Sequence, residues 1–133
     1  MWTYKEKNIT CIEDLPDRTI GFVYKISFPY MDLHYIGRKN LLSKKTLPPL
    51  KGYTRKRKIV QESNWLNYCS SNEEVQLLAK DGQHMTKEIL VVAETLRQLT
   101  YLETKELFIN SVLEDDNYIN GNILGKFFKG NTI

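Results

Sequence analysis

Cysteine is nearly absent from this chain. Cys11 and Cys69 are the only two, with neither a CxxC spacing nor a disulfide framework. They read as reduced thiols filling core space in a cytoplasmic protein. Seven glycines and four prolines are too few for a fibrous or low-complexity chain, and 41% hydrophobic residues set disorder aside. No apolar run approaches the roughly 18–20 residues of a membrane-spanning helix, so no membrane partner is expected. The opening Met1-Trp2-Thr3-Tyr4-Lys5-Glu6 lacks the charged-then-apolar form of a secretory signal. A last absence says most. Between Leu33 and Gln61 there is no acidic residue, against nine Lys and Arg.

That stretch carries +9, while the remaining residues hold ten positive and sixteen negative charges and so carry −6. Such asymmetry points to a polyanionic partner, with a solvated loop as the plain alternative. The acidic remainder would limit indiscriminate sticking to nucleic acid. The 133 residues suffice for one domain with its own core. Residues 1–133 are read as a single unit with a basic inserted arm at about 38–60.

Residues 1–18 read as a short strand or turn-rich lead-in. Thr19–Phe28, rich in Ile, Val, Phe and Tyr, reads as a strand, and Leu33–Gly37 as a second one antiparallel to it. Pro48-Pro49 and Gly52 rule out regular structure through the middle of 38–54. Arg55–Asn67 is expected to be helical, with Ile59, Val60 and Trp65 as its apolar contacts. Ser71 and Glu74 form a capping box for a helix that Asp81-Gly82 ends. Thr86–Ala93 is a central strand, and Thr100 opens a second helix, broken at Asp115-Asp116-Asn117. The tail, with Phe127-Phe128, docks on the domain. The expected fold is α+β: a small, mainly antiparallel three-stranded sheet flanked by helices.

Tyr24 and Tyr35 lie eleven residues apart, a hairpin's length, so their hydroxyls can converge from neighbouring strands. Paired phenols beside a basic arm suit a nuclease that holds and cuts a phosphodiester. The plain alternative is that both rings pack a strand face.

Val23-Tyr24 followed by Tyr35-Ile36-Gly37 resembles the signature of the GIY-YIG nuclease superfamily. The likeness to small stand-alone phage-type members continues in Ile36-Gly37-Arg38-Lys39-Asn40-Leu41 and Glu62-Ser63-Asn64-Trp65. It extends from Met1-Trp2-Thr3-Tyr4 through Leu99-Thr100-Tyr101-Leu102-Glu103 to Asn122-Ile123-Leu124-Gly125-Lys126-Phe127-Phe128. Two departures stand out. The first motif reads Phe22-Val23-Tyr24, its glycine absent or displaced to Gly21, and the arginine usual after the second motif has no single counterpart.

The resemblance implies a metal-dependent DNA endonuclease with a tyrosine-assisted, one-metal mechanism. The alternatives are a catalytically inactive DNA-binding or partner-binding protein of the same fold, and a structural or inhibitory phage protein. Tyr24 or Tyr35 would take a proton from water. A free phenol titrates near ~10, and Arg38 and Lys39 are expected to lower that value. Glu103 is the implied ligand for Mg²⁺ or Mn²⁺. Two other readings stay open, Glu103 as part of a Thr100–Glu103 capping box and Glu106 as the ligand. Arg38, Lys39 or Arg57 would clamp a phosphate oxygen. Asn120, with Asn122 as its near neighbour, resembles the superfamily's terminal asparagine. Lys44, Lys45, Lys51, Arg55, Lys56, Arg57 and Lys58 are the expected backbone contacts to double-stranded DNA, giving affinity rather than sequence reading. Oligomeric state is unknown at this level.

Overall fold

Lys5 and Glu6 both have positive φ, 49° and 68°. They make a two-residue hairpin turn of the type whose twist suits paired strands. The turn joins β1 (Trp2–Tyr4) to β2 (Lys7–Ile9), antiparallel with Tyr4 opposite Lys7. The computed structural model describes residues 1–131; the last two residues of the expected 1–133 unit lie outside it. After this hairpin come β3 (Gly21–Phe28), β4 (Leu33–Asn40), β5 (Leu42–Leu47), β6 (Arg57–Glu62) and helix α1 (Glu73–Lys80). β7 (Thr86–Ala93), α2 (Leu96–Ile109), β8 (Asn122–Ile123) and β9 (Phe127–Phe128) complete the order.

The main sheet runs β2-β1-β7-β3-β4, with β1 parallel to β7 and every other neighbouring pair antiparallel. The expected three-stranded antiparallel sheet is therefore corrected to a five-stranded mixed one. The two added strands are three residues each, too short to show an alternating pattern. The central placement of Thr86–Ala93 is as expected.

β3 explains its own weak alternation, since side chains on both of its faces are buried. Phe22, Tyr24, Ile26 and Phe28 meet Trp2, Trp65 and Val75 on one side. Val23 joins Ile36, Ala93, Val112 and α2's Leu99 and Leu107 on the other. A strand covered on both faces reads as a continuous apolar run. Gly21 belongs to this packing: a Cβ there would lie 2.8 Å from both Leu99 Cδ2 and the Lys39 carbonyl. Any side chain there would have to displace Leu99 of α2 and the β4 backbone at Lys39.

Three local expectations are corrected. Arg55–Asn67 is not a helix. Residues 57–62 form β6, paired with β5 from Leu42↔Glu62 to Leu47↔Arg57, and Pro48-Pro49 and Gly52 fall in the connection. Ile59 and Val60 are adjacent in sequence, so they lie on opposite faces of a ribbon, and both are exposed. Trp65 alone reaches the core, accepting at its carbonyl from Trp2 Nε1 (2.7 Å) and donating from Nε1 to Glu62 (2.8 Å). It pins the root of the arm. The first helix is capped by Asn72 rather than Ser71, its Oδ1 accepting from the amides of Glu74 and Val75. The second starts at Leu96, four residues upstream of the expected opening at Thr100. Thr95 Oγ1 accepts from Gln98 N, and Gln98 Oε1 accepts from Glu94 N.

β4 is the outer strand. Backbone 117–120 covers its first half: His34 N–H donates to Asn117 O (2.8 Å) and Ile119 N–H donates to His34 O (2.7 Å). Covering an edge in this way removes a template for unwanted pairing.

Candidate active site

The site forms around that outer strand. Tyr24 stands opposite Gly37, and Tyr35 opposite Ile26, so both phenols lie on one face of the sheet. Their ring centroids are 6.3 Å apart. Gly37 is obligatory here, because a Cβ would sit 2.5 Å from Tyr24 Oη and 3.1 Å from Tyr35 Cε1. The glycine of the second motif leaves space for the tyrosine of the first.

Glu103 approaches from the other face on α2. Now that the helix starts at Leu96, Glu103 lies in its middle and caps nothing. Tyr35, Glu103, Asn72, Asn120 and Asn122 line one cavity of about 190 Å³. Glu106 is not among its lining residues and instead accepts from Asn110 Nδ2 at 3.2 Å. Geometry thus separates the two glutamates where periodicity does not.

Because β4 runs through Asn40, Arg38 and Lys39 point to opposite faces. Arg38 turns to α2, its Nε 3.8 Å from Glu103 Oε1 and its Nη1 donating to Thr100 Oγ1. Lys39 turns to the tyrosine face, with Nζ 4.1 Å from the centre of the Tyr68 ring. Asn120 is buried, with both ends of its amide engaged: Oδ1 accepts from Ile36 N–H (3.0 Å) and Nδ2 donates to Ile36 O (2.7 Å). Its amide completes the outer edge of β4 between Tyr35 and Gly37. Asn122 Oδ1 accepts from Gly125 N–H. Arg57 is not brought to this cavity. It sits at the far end of the ribbon, donating to the Pro48 carbonyl at 3.3 Å. His34 points away from Tyr35, between Ser27 and the Tyr118 ring.

The electrostatics differ from expectation. Burial pushes the Tyr24 phenol far above its ordinary value, opposed by a hydrogen bond with Ser70. Burial also raises Tyr35, with Ser70 opposing and Glu103 and Tyr68 adding to the rise. Neither phenol is depressed by Arg38 or Lys39, because those cations are directed to Glu103 and Tyr68. Burial raises Glu103 as well, with Arg38 pulling it back, and lowers Lys39. A partly buried carboxylate with one guanidinium at 3.8 Å retains unsatisfied acceptor capacity.

Sequence reasoning missed Tyr68 and Ser70. The Tyr68 ring lies 6.1 Å from Tyr24. Ser70 is buried, holds φ at 92° and has its side chain beside the phenols of Tyr24 and Tyr35, opposing the upward shift of both. A non-glycine residue in that region persists only where its surroundings determine it. Asn72 N–H donates to Ser70 Oγ, and Gln76 Nε2 to Ser70 O. Nothing local to residue 70 announces a hydroxyl placed between tyrosines 46 and 35 residues away.

A fold that presents two phenols, a guanidinium and a carboxylate around one strand edge has the parts of a phosphodiester-cleaving centre. Residues 2–123 match the family described as "Putative endonuclease segE, GIY-YIG domain". The chain belongs to the GIY-YIG family of endonucleases, and a nucleic acid is the substrate class that membership implies. No curated protein and no solved structure matches the chain. No helix among the described residues is long and apolar enough to cross a membrane.

Proposed function

We propose that this protein is a divalent-metal-dependent endonuclease that hydrolyses phosphodiester bonds in double-stranded DNA. The observation that carries the reading is the single cavity shared by Tyr35 and Glu103. Tyr35 is the phenol that lines it, so Tyr35, once ionised to the phenolate by losing its own proton to solvent, is the group that receives the water's proton; burial makes that form scarce but more basic. Tyr24, only 1% exposed, acts from behind through Ser70. Arg38 stands beside Glu103 and clamps a non-bridging phosphate oxygen.

Among the described residues no group of three or more His, Cys, Asp or Glu could together hold an ion. Glu103 is the carboxylate in the cavity, and the side chains of Asn120 and Asn122 are engaged with backbone. One carboxylate suits Mg²⁺ or Mn²⁺, since a hard cation of this kind keeps several waters. With water occupying roughly 30 Å³, a cavity of about 190 Å³ has room for a hydrated ion. The donor set fits, with Glu103 as the protein ligand. When bound, such an ion polarises the phosphate and offsets charge on the leaving oxygen.

The test compares plasmid nicking by wild type, Tyr35→Phe and Tyr24→Phe, each with Mg²⁺ and with excess chelator. Tyr35→Phe is expected to abolish nicking with the fold retained, Tyr24→Phe to slow it, and chelator to stop nicking by wild type and Tyr24→Phe. Equal nicking in chelator removes the metal. A second reading, an inactive DNA-binding or partner-binding protein, is favoured by the upward shift of both phenols. Protein that retards DNA but never nicks it, across several divalent ions, would establish that reading instead.

A further inference from the structure

We propose that the β5–β6 ribbon is a one-sided clamp: its inner face closes one backbone strand of duplex DNA against the first turn of α2, while its outer face takes no part. The proposal rests on the nuclease reading above and says how the substrate reaches the centre. The ribbon's register decides which cations share a face. Pairs Leu42↔Glu62, Lys44↔Val60 and Thr46↔Lys58 lie on one side; Lys45↔Ile59 and Leu47↔Arg57 lie on the other. A groove of about 830 Å³ separates the ribbon from the body, and Leu42, Lys44 and Val60 line it. Ser43, at the ribbon's root, is the one lining residue from the other side. Lys58 shares the inner face with Lys44 and Val60 by strand alternation, but lies beyond the groove's lining, toward the ribbon tip.

The groove leads to the candidate centre. Arg38, Lys39 and Asn40 lie along it, and Thr95 and Leu96 form the wall opposite the ribbon. Arg38 is also the residue beside Glu103, so a strand lying here presents a phosphate to the cavity of Tyr35 and Glu103. Among the described residues Glu94 is the only carboxylate lining the groove. The walls are mixed in character. Leu42, Val60 and Leu96 are 45%, 62% and 62% exposed, apolar surface suited to deoxyribose between phosphate-bound cations. A six-residue strand spans about 20 Å at roughly 3.3 Å per residue. That is close to the length of about six nucleotides of one DNA strand. Lys45 and Arg57 carry the same charge as Lys44 and Lys58 but face away from this path.

The experiment uses two charge-matched variants in a Glu103→Gln background: Lys44→Glu with Lys58→Glu, and Lys45→Glu with Arg57→Glu. Binding to a fluorescent 20-base-pair duplex is followed by anisotropy at several salt concentrations. All four positions are exposed, and unchanged melting checks that the fold survives. The inner pair is expected to weaken binding by at least about thirtyfold and to reduce the salt slope by about two. The outer pair is expected to weaken it less than about threefold. Equal losses from both pairs, or a larger loss from the outer pair, with the parent still binding, overturn the clamp and leave the nuclease reading standing. A parent that does not bind duplex DNA at all overturns both.

Discussion

Replacing Gly37 by alanine tests whether the two motif tyrosines are held by the close approach seen at this glycine. The added methyl would lie 2.5 Å from Tyr24 Oη, 2.8 Å from Cζ and 3.1 Å from Tyr35 Cε1. Ordinary contact begins near ~3.5 Å, so the Tyr24 hydroxyl must retreat by about 1 Å. Little space is open to it. The ring is 1% exposed and packs against Trp2, Phe22 and Tyr68 at centroid distances of 5.3, 6.3 and 6.1 Å. Overpacking of this kind costs about 1–3 kcal/mol, and a shift of ~1 Å in a positioned group costs about a hundredfold in rate. Urea unfolding with an unchanged m-value would report the first, and plasmid nicking the second. Tyr24→Phe removes the nearest atom, so the two substitutions should couple by about 0.5–3 kcal/mol in a double-mutant cycle. Wild-type stability and nicking in Gly37→Ala, or zero coupling, would refute the packing argument.

Three further outcomes follow from the same geometry. Asn120→Ala should destabilise by about 2–3 kcal/mol, since it strands both backbone groups of Ile36; hydrogen exchange at Ile36 should accelerate with it. Ser70→Gly keeps a backbone suited to φ 92° while removing the hydroxyl from between the phenols. Stability should stay within about 1 kcal/mol and nicking should fall at least about tenfold. Glu103 has a raised folded-state pKa, so the native chain binds its proton more tightly than the unfolded chain does. Its contribution to stability therefore falls as pH rises from the ordinary carboxylate value through the raised one. Melting of wild type should drop relative to Glu103→Gln across that window, and a difference independent of pH would contradict the burial of this carboxylate.

How much of this was legible in sequence differs from residue to residue. Thr86–Ala93 was readable to its ends because four consecutive apolar β-formers suit a strand buried between neighbours. The two tyrosines were readable as a pair because a hairpin fixes their spacing. Glu103 was not readable from periodicity, and the resemblance alone selected it. The cap that would have cleared it, Thr95 with Gln98, follows the same Ser/Thr-x-x-Glu/Gln rule that Thr100 and Glu103 also satisfy. The ribbon is not legible in the sequence because Ile59, Val60 and Trp65 read together as the apolar contacts of a helix. In fact only Trp65 enters the core. The phenols' upward shifts were unreadable for a different reason. They depend on burial by Trp2, Tyr68 and Ser70, brought together by the sheet from distant parts of the chain.

The measurement that bears most directly on the central claim is plasmid nicking by wild type beside Glu103→Ala, with and without Mg²⁺, on protein shown to be folded. A nicking rate that requires Mg²⁺ in wild type and vanishes in Glu103→Ala is the predicted result. Nicking by Glu103→Ala at the wild-type rate would contradict the claim that this carboxylate and Tyr35 form one catalytic centre.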